Sequence, residues 1–369
     1  MQASRICWTP KACCLMAAVL ASPVMGQTVV APFDEFYTHA VVGHPPLPNQ
    51  LGALAIRPSD PDRVLIVASG ATPEARVWSM GLIRDRSGHI VGLASDAPKF
   101  EFSAGGSTGG AFGSLLVMPN DGVIFSTPLG NEIGQVAAGE TSPGLLVPAA
   151  PFDMAKTTSI LRVPDGWCNA GRLLFFSSLG GQVWSRNFVV DLAFGYVIFN
   201  QGVSMPFSPP SSGAVAIPTS CEYFGALKRR ILVCQESLDR VTSFRLQGGE
   251  GSGSLPDPQT EQLVLLGVDS PRGVAADPVT GDMLLISRDA SRVEFPDRID
   301  VLRFAPTCQS CVGDLNDSGS VDAEDLALLL GTFGEGACPY PAGDLNVDGL
   351  LDAADLAILL GSWGSCNGP

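Results

Sequence analysis

The chain has few charged residues for its length and very few histidines. Asp, Glu, Lys and Arg make up only 16% of its 369 residues, and the histidines number three. Acidic residues outnumber basic ones by 37 to 22, which gives a formal net charge of −15. A nucleic-acid-binding protein needs a basic surface to meet phosphates, so no nucleic-acid partner is expected.

Long hydrophobic runs are absent after the first 21 residues. Arg5 and Lys11 precede the apolar stretch 12–21, which Pro23 ends, and small residues follow at Val24 and Gly26. This is the order of a secretory signal peptide, and the stretch is shorter than the roughly 20 residues that span a bilayer. Residues 1–26 are predicted to be a signal peptide, with a retained membrane anchor as the alternative. The mature protein is predicted to be secreted, without a transmembrane segment.

Secretion gives the cysteines a meaning, because disulfides persist outside the cell. The tail holds an even set of four, which suits two bridges whose connectivity stays open: Cys308, Cys311, Cys338 and Cys366. The body holds three. Cys168 and Cys221 lie in loop-like sequence and are a candidate pair. Cys234 ends an apolar run and is predicted to be a buried small hydrophobe.

Glycine and proline are abundant, and they punctuate a repeated pattern. There are 42 Gly and 29 Pro residues with 46% hydrophobic residues, a composition typical of a turn-dense β protein. Five times, a short apolar strand near a proline is followed by a second apolar strand and a third of alternating pattern. The marker prolines are Pro58, Pro119, Pro164, Pro218 and Pro278. Such units of three or four strands predict a β-propeller, in which neighbouring blades cover each other's faces.

The predicted propeller covers residues 27–306. Residues 27–50 are expected to supply either a sixth blade or the outer strand that closes the ring. The segment 270–284 resembles blades of the six-bladed propellers that include NHL-repeat and lactonase-like proteins. The resemblance implies about six blades. The alternative fold is a β-sandwich or a pair of them.

The predicted propeller offers no catalytic constellation. His39, His44 and His89 are expected to lie in surface loops, and none has the setting of a Ser-His-Asp triad. Lactonase-like propellers carry Glu, Asn and Asp at the channel mouth, and the candidates here are Glu222, Asn187, Asp239 and Asp289. No motif spacing assigns them, so roles in turns or at strand ends are expected and the catalytic residues stay unknown. Trp78, Trp167 and Trp184 are candidates for stacking on a carbohydrate ligand or for core packing.

The last sixty residues contain two copies of one pattern, offset by 30 residues. Each copy has oxygen-bearing residues at positions 1, 3, 5, 7, 9 and 12 of a loop with Gly at position 6, as an EF-hand requires. The first set is Asp314, Asn316, Ser318, Ser320, Asp322 and Asp325, and the second is Asp344, Asn346, Asp348, Leu350, Asp352 and Asp355. Ser320 and Leu350 would bind through their backbone carbonyls. The copies predict two Ca²⁺ sites.

Residues 307–369 form a predicted small α-helical calcium module, because a short apolar helix follows each loop. The Gly-Asp-Leu-Asn openings and the Asp at position 12 resemble type I dockerins over residues 311–364. The resemblance implies two F-hand motifs packed as a pseudo-two-fold pair and a cohesin partner. Cohesin contacts centre on a Ser-Thr-like pair at loop positions 10 and 11. Here those positions hold Ala323-Glu324 and Ala353-Ala354, which puts cohesin binding in question.

These features predict a secreted recognition or scaffold protein that a calcium-stabilised, dockerin-like module attaches to a partner or to the cell surface. The alternative is an extracellular carbohydrate-active hydrolase or lyase with a propeller catalytic domain, because dockerins mostly accompany polysaccharide-degrading enzymes. A third interpretation makes the tail a stabilising clip without a partner.

Overall fold

The structure is a computed structural model of the whole chain. It describes residues 27–35, 37–48, 50–69, 72–106, 110–111, 113, 115–129, 131–148, 156–164, 171–177, 181–190, 197–208, 211–217, 230–246, 255–292 and 296–304, and in the tail 313–315, 320–331, 333, 343, 345 and 351–365. The predicted signal peptide lies outside these residues. Among the described residues, no helix is long and apolar enough to cross a membrane.

The described body is built from antiparallel sheets in chain order. Two strands precede them: β1 (Thr28–Val29) and β2 (Tyr37–Gly43). Blade 1 has β3 (Leu54–Arg57), β4 (Asp60–Ala68), β5 (Arg76–Arg84), β6 (Ile90–Leu93) and β7 (Lys99–Ser103). Blade 2 has β8 (Leu115–Val117), β9 (Val123–Thr127), β10 (Glu132–Val136) and β11 (Leu145–Pro148). Blade 3 has β12 (Thr157–Arg162), β13 (Leu173–Ser177), β14 (Gln182–Val190) and β15 (Val197–Pro206).

The last two blades follow the same plan and take their outer strands partly from the N-terminus. Blade 4 has β16 (Gly213–Ala216), β17 (Arg230–Gln235), β18 (Arg240–Arg245) and β19 (Gln262–Leu266), with β1 added at its outer edge. Blade 5 has β20 (Arg272–Ala276), β21 (Met283–Arg288) and β22 (Asp297–Phe304), and β2 pairs with β22 as its fourth strand. The innermost strands β3, β8, β12, β16 and β20 are neighbours in turn, and β20 returns to β3.

This arrangement is a β-propeller, as predicted, with five blades in the described residues rather than about six. The reason is the N-terminal segment, which closes the ring as the outer strand of blade 5 instead of forming a blade. Tyr37 pairs with Phe304 and His39 with Leu302. Pairing β2 with the last blade joins the two ends of the ring, so the closure covers edges that would otherwise be exposed.

The core lies between blades rather than within them. One cluster joins blade 1 to blade 5 through Ile66, Met80 and Ile286, and a second joins blades 4 and 5 through Leu232 and Leu285. Central strands such as β9, β13 and β17 are buried along their whole length. Both faces of a blade meet a neighbour, so the sequences of these strands are continuous apolar runs rather than alternating ones.

A buried ion network fastens blade 5 to blade 1. Arg84 on β5 donates to both carboxylate oxygens of Asp277, at 2.7 and 2.8 Å, and its Nε donates to Asp62 at 2.9 Å. Asp277 is fully buried, and burial alone would raise its pKa. The hydrogen bonds from Arg84 and Thr280 overcome this and hold the pKa of the Asp277 carboxyl below its usual value. Beside it, His89 Nδ1 lies 2.9 Å from Asp282.

The described part of the tail contains two short helices, α1 (Ala323–Gly331) and α2 (Ala353–Gly361), and a two-residue pairing of β23 (Ser320–Val321) with β24 (Gly364–Ser365). The repeats pack on each other reciprocally. A Cβ placed on Gly313 would lie 3.2 Å from Leu359, and one on Gly343 would lie 3.1 Å from Leu329. Leu329 and Leu359, with Val321, Leu345 and Leu351, form the module's own small core.

Candidate functional site

The axial channel of the propeller is closed at the end where the inner strands begin, here called the closed end. Gly113 N–H donates to the Gly52 carbonyl at 2.6 Å, and Gly273 N–H donates to the Ser212 carbonyl at 3.2 Å. A Cβ on Gly113 would lie 1.9 Å from the Thr158 carbonyl oxygen, and the φ of this residue is +95°. Only glycine fits there. Backbone from all five blades therefore meets across the axis.

Beyond the closed end lies a cavity of about 160 Å³, here called the axial cavity. All of its lining residues are apolar, and every inner strand contributes to it: Leu54 and Ile56, Leu115 and Val117, Ile160, Val215, and Val274 and Ala276. Val117, Val215 and Ala276 are half-buried and Pro58 is exposed, so the cavity opens where the inner strands end.

Charged side chains flank the closed end at the junction of blades 4 and 5. Arg272, the first residue of β20, lies 3.3 Å from Asp297 and 3.9 Å from Glu236. The other oxygen of Asp297 accepts from Leu51 N–H at 2.8 Å. Burial raises the pKa of Glu236 above its usual value, and Asp297 and Asp239 act in the same direction while Arg272 opposes them. Sequence reasoning missed this group, because its members come from separate strands.

The four candidates for a lactonase-like constellation do not converge in the described residues. Asp239 accepts from Ser270 N–H at 2.9 Å in a turn with left-handed backbone, and Asp289 accepts from Ser291 and pairs with His44. Both are turn residues, as expected. Asn187 is exposed on β14, and Glu222 lies outside the described residues.

The expectation that the three histidines lie in surface loops was wrong for His39, which lies in a strand; His44 and His89 do lie in loops, but their side chains are largely covered. Each is largely buried and pairs with an aspartate of blade 5: His39 with Asp300 at 3.2 Å, His44 with Asp289 at 3.2 Å and His89 with Asp282 at 2.9 Å. His39 lies within β2, and His89 lies on blade 1 against blade 5. The histidines therefore line the seam at which the ring closes, a position that depends on contacts between distant segments.

Two further residues named in the sequence analysis, Trp184 and Cys234, belong to the hydrophobic core. Trp184 is buried against Phe175 and Ile160, and Cys234 is fully buried among the side chains between blades 4 and 5. Burial raises the pKa of the Cys234 thiol far above its ordinary range, so this thiol is inert. Trp78 packs at the edge of the cluster between blades 1 and 5. Trp167 and the remaining cysteines lie outside the described residues.

In the tail, the aspartates at loop position 12 occupy equivalent buried positions. Asp325 accepts from Leu315 N–H at 2.6 Å and from Asp322 N–H at 2.9 Å. Asp355 accepts from Leu345 N–H at 2.6 Å and from Asp352 N–H at 2.9 Å. Each carboxylate thus ties the start of its loop to the end, and neither side chain is exposed to solvent.

Half of the predicted calcium ligands can be located. Asp314, Ser320, Asp322, Asp325, Asp352 and Asp355 are described, whereas Asn316, Ser318, Asp344, Asn346, Asp348 and Leu350 lie outside the described residues. Asp322 and Asp352 also accept from the backbone at the start of their helices, each at 2.8 Å. The described residues by themselves contain no cluster of three or more His, Cys, Asp or Glu placed to hold a metal.

Comparison with known proteins gives no family for this chain. No family model matches it, and neither does any curated protein sequence. The solved structures that are similar to it include a streptogramin B lyase, with 11% identity and a TM-score of 0.38, over 73% of this chain and 99% of that chain. A putative oxidoreductase (glucose dehydrogenase) from Thermus thermophilus has 13% identity and a TM-score of 0.39, over 72% and 99% of the two chains.

A third similar structure is the PQQ-bound aldose sugar dehydrogenase from Streptomyces coelicolor, with 15% identity and a TM-score of 0.36, over 72% of this chain and 83% of that chain. Similarity at this level carries no functional argument. The assignment of the propeller rests on the strand order of the chain itself.

Proposed function

We propose that this protein is a secreted recognition protein, in which a five-bladed propeller binds a ligand and a calcium-stabilised, dockerin-like tail attaches the propeller to a partner or to the cell surface. The observation that carries the proposal is the paired position-12 carboxylate of the tail, repeated with the same two hydrogen bonds in both copies. The propeller bears on the proposed ligand binding, and the tail bears on the proposed attachment.

The charge of the tail supports a calcium requirement. Residues 308–369 contain ten carboxylate side chains and no Lys or Arg. A buried carboxylate is stable only when a cation or several donors compensate its charge. Asp325 and Asp355 each receive two backbone donors, one at each carboxylate oxygen. An ionised carboxylate has about four acceptor positions, so it can accept hydrogen bonds and bind a cation at the same time.

The residues present fit calcium better than other metals. All twelve predicted ligands would supply oxygen, from carboxylates, amide, hydroxyl or backbone carbonyl, and Ca²⁺ takes six to eight such ligands in a flexible geometry. When bound, the ion would cross-link the loop to its helix by neutralising the position-12 carboxylate. The described ligands Asp314, Ser320 (through its backbone carbonyl), Asp322 and Asp325 would hold the first ion, and Asp352 and Asp355 the second.

The first calcium site is expected to be the weaker of the two. Ser318 stands at position 5 of the first loop, where the second loop has Asp348, so the first site has one carboxylate fewer. Ligand charge is one of the main determinants of calcium affinity in such loops. Isothermal titration of the chelator-treated chain is expected to give two unequal dissociation constants, and Ser318→Asp should bring them closer together. Equal constants in the native chain would contradict this ranking.

Attachment is tested by capture with and without calcium. The immobilised full chain is expected to retain a cell-surface or cohesin-like protein in calcium and to release it in a chelator. Retention in chelator would make calcium-dependent docking wrong. A chain that binds calcium and captures nothing would favour the interpretation of the tail as a stabilising clip.

One observation favours an enzymatic alternative. Glu236 has a raised pKa beside Asp297 and Arg272, and a carboxyl that holds its proton to higher pH is suited to general acid catalysis. An extracellular carbohydrate-active hydrolase or lyase would use such a residue. We expect no release of reducing ends or unsaturated products from polysaccharides; a turnover that Glu236→Gln abolishes and Glu261→Gln leaves intact would establish the enzyme instead.

A further inference from the structure

The axial cavity combines three features that seldom occur together in a surface depression. Its lining side chains carry no nitrogen or oxygen, its walls come from all five inner strands, and one end is sealed by backbone. Strands that are fixed by both neighbouring blades make the cavity preformed rather than induced. Small-molecule sites are concave, mostly apolar and largely preformed, and this cavity has the same three properties on a smaller scale.

The size of the cavity limits what can fill it. A cavity of about 160 Å³ is close to the roughly 150 Å³ of an engineered apolar cavity that stays dry and binds benzene. A long lipid chain exceeds this volume, and a sugar ring would place hydroxyl groups against aliphatic side chains, where they would lack hydrogen-bond partners, which costs free energy. The occupant that fits is a compact hydrocarbon group.

The rim of the opening favours the same chemistry. Pro58 is exposed and lies on the cavity wall, whose outer part also includes the half-buried Val117, Val215 and Ala276. Proline has no N–H to donate and a fixed φ, so Pro58 presents rigid apolar surface at the opening.

We propose that the axial cavity binds a small apolar molecule with a single aromatic ring, which enters past Pro58 and stops at the closed end. This inference deepens the proposed recognition role of the propeller and rests on it. It does not involve the tail, so it holds or fails independently of calcium binding.

Toluene is the probe that tests the proposal on the full chain. Titration is expected to give saturable shifts of methyl NMR signals from the cavity-lining residues Leu54, Ile56, Val117, Ile160 and Val274. The methyls of core residues that do not line the cavity, such as Leu265 and Leu302, should not move. At about tenfold excess over its dissociation constant, toluene should raise the melting temperature by about 2 °C. Adding chelator should change neither result, which separates this test from that of the tail.

Two variants narrow the opening, and one controls for the added ring. Ala276→Phe and Val117→Phe place a ring in the half-buried part of the cavity and should abolish the saturable shifts. Ala138→Phe adds the same ring in an exposed turn of blade 2 and should preserve them. If both cavity variants misfold, the set of methyl signals that toluene shifts in the native chain decides. No saturable shift up to the solubility limit of toluene, or shifts confined to other methyls, would overturn the proposal.

Discussion

Replacing Asp355 with asparagine is expected to remove the second calcium site and, with it, most of the calcium-dependent stability of the tail. The affinity of this site should fall by at least about 100-fold, because even residues that only support a metal ligand cost about 10–100-fold when changed. The amide cannot neutralise the ion, and it cannot accept from both Leu345 N–H and Asp352 N–H as the carboxylate does. Calorimetric titration would show one site where the native chain shows two.

Glu324→Gln is the matched control for this variant. It makes the same carboxylate-to-amide change on α1, at an exposed residue outside the predicted ligand set. Glu324→Gln is expected to keep both sites. In chelator, the native chain and Asp355→Asn should melt at similar temperatures, and in calcium they should separate. Two unchanged sites in Asp355→Asn would show that position 12 does not bind calcium.

Replacing Arg84 with methionine is expected to lower the free energy of unfolding of the propeller by about 3–5 kcal/mol. The change leaves the fully buried Asp277 carboxylate without the cation that compensates it, at the junction where blade 5 meets blade 1. Unfolding in guanidinium chloride, followed by tryptophan fluorescence, measures the loss.

Lys99→Met makes the same kind of change on blade 1, at an ion pair with Glu101 whose cation is exposed. Lys99 is 71% exposed, and exposed pairs contribute about 0–1 kcal/mol. Adding Asp277→Asn to Arg84→Met should recover part of the loss, because it removes the uncompensated charge. If Arg84→Met costs no more than Lys99→Met, the Arg84 pair does not hold the ring closed.

The Asp277 carboxyl also predicts a dependence on pH. Its pKa in the folded protein lies below the usual value, so its contribution to stability is present above about pH 4 and is lost as the pH falls through the folded pKa. The difference in unfolding free energy between the native chain and Arg84→Met should therefore be largest near neutral pH and shrink in acid. Parallel curves for the two proteins at all pH values would contradict this role.

The sequence was informative wherever structure depends on neighbouring residues. Four of the predicted strand pairs are observed as hairpins, and in each the first strand ends near a marker proline. With Pro58, Pro119, Pro164 and Pro278 in turn, they are β3–β4, β8–β9, β12–β13 and β20–β21. These pairs could be predicted because a hairpin joins neighbouring residues. The outer strands β11 and β15 were not predicted. They lie outside the pattern of three strands by which the repeat was recognised, although the short β11 is itself a run of apolar residues, Leu-Leu-Val-Pro.

Contacts between distant segments explain what the sequence could not predict. The pairing of β2 with β22, and of Arg84 with Asp277 over 193 residues, depends on how the ring closes, which no local pattern encodes. The same is true of the three histidine–aspartate pairs and of the group around Glu236. The tail differs, because all six predicted ligands of each calcium site lie within twelve consecutive residues.

The most direct test of the proposed calcium-dependent recognition protein is the stoichiometry of calcium on the intact chain. After exhaustive chelation and re-addition, calorimetric titration is expected to show two ions per chain, with a gain of helix in far-UV circular dichroism that follows the occupancy. A chain that binds no calcium, with its helix content unchanged in chelator, would contradict the proposal.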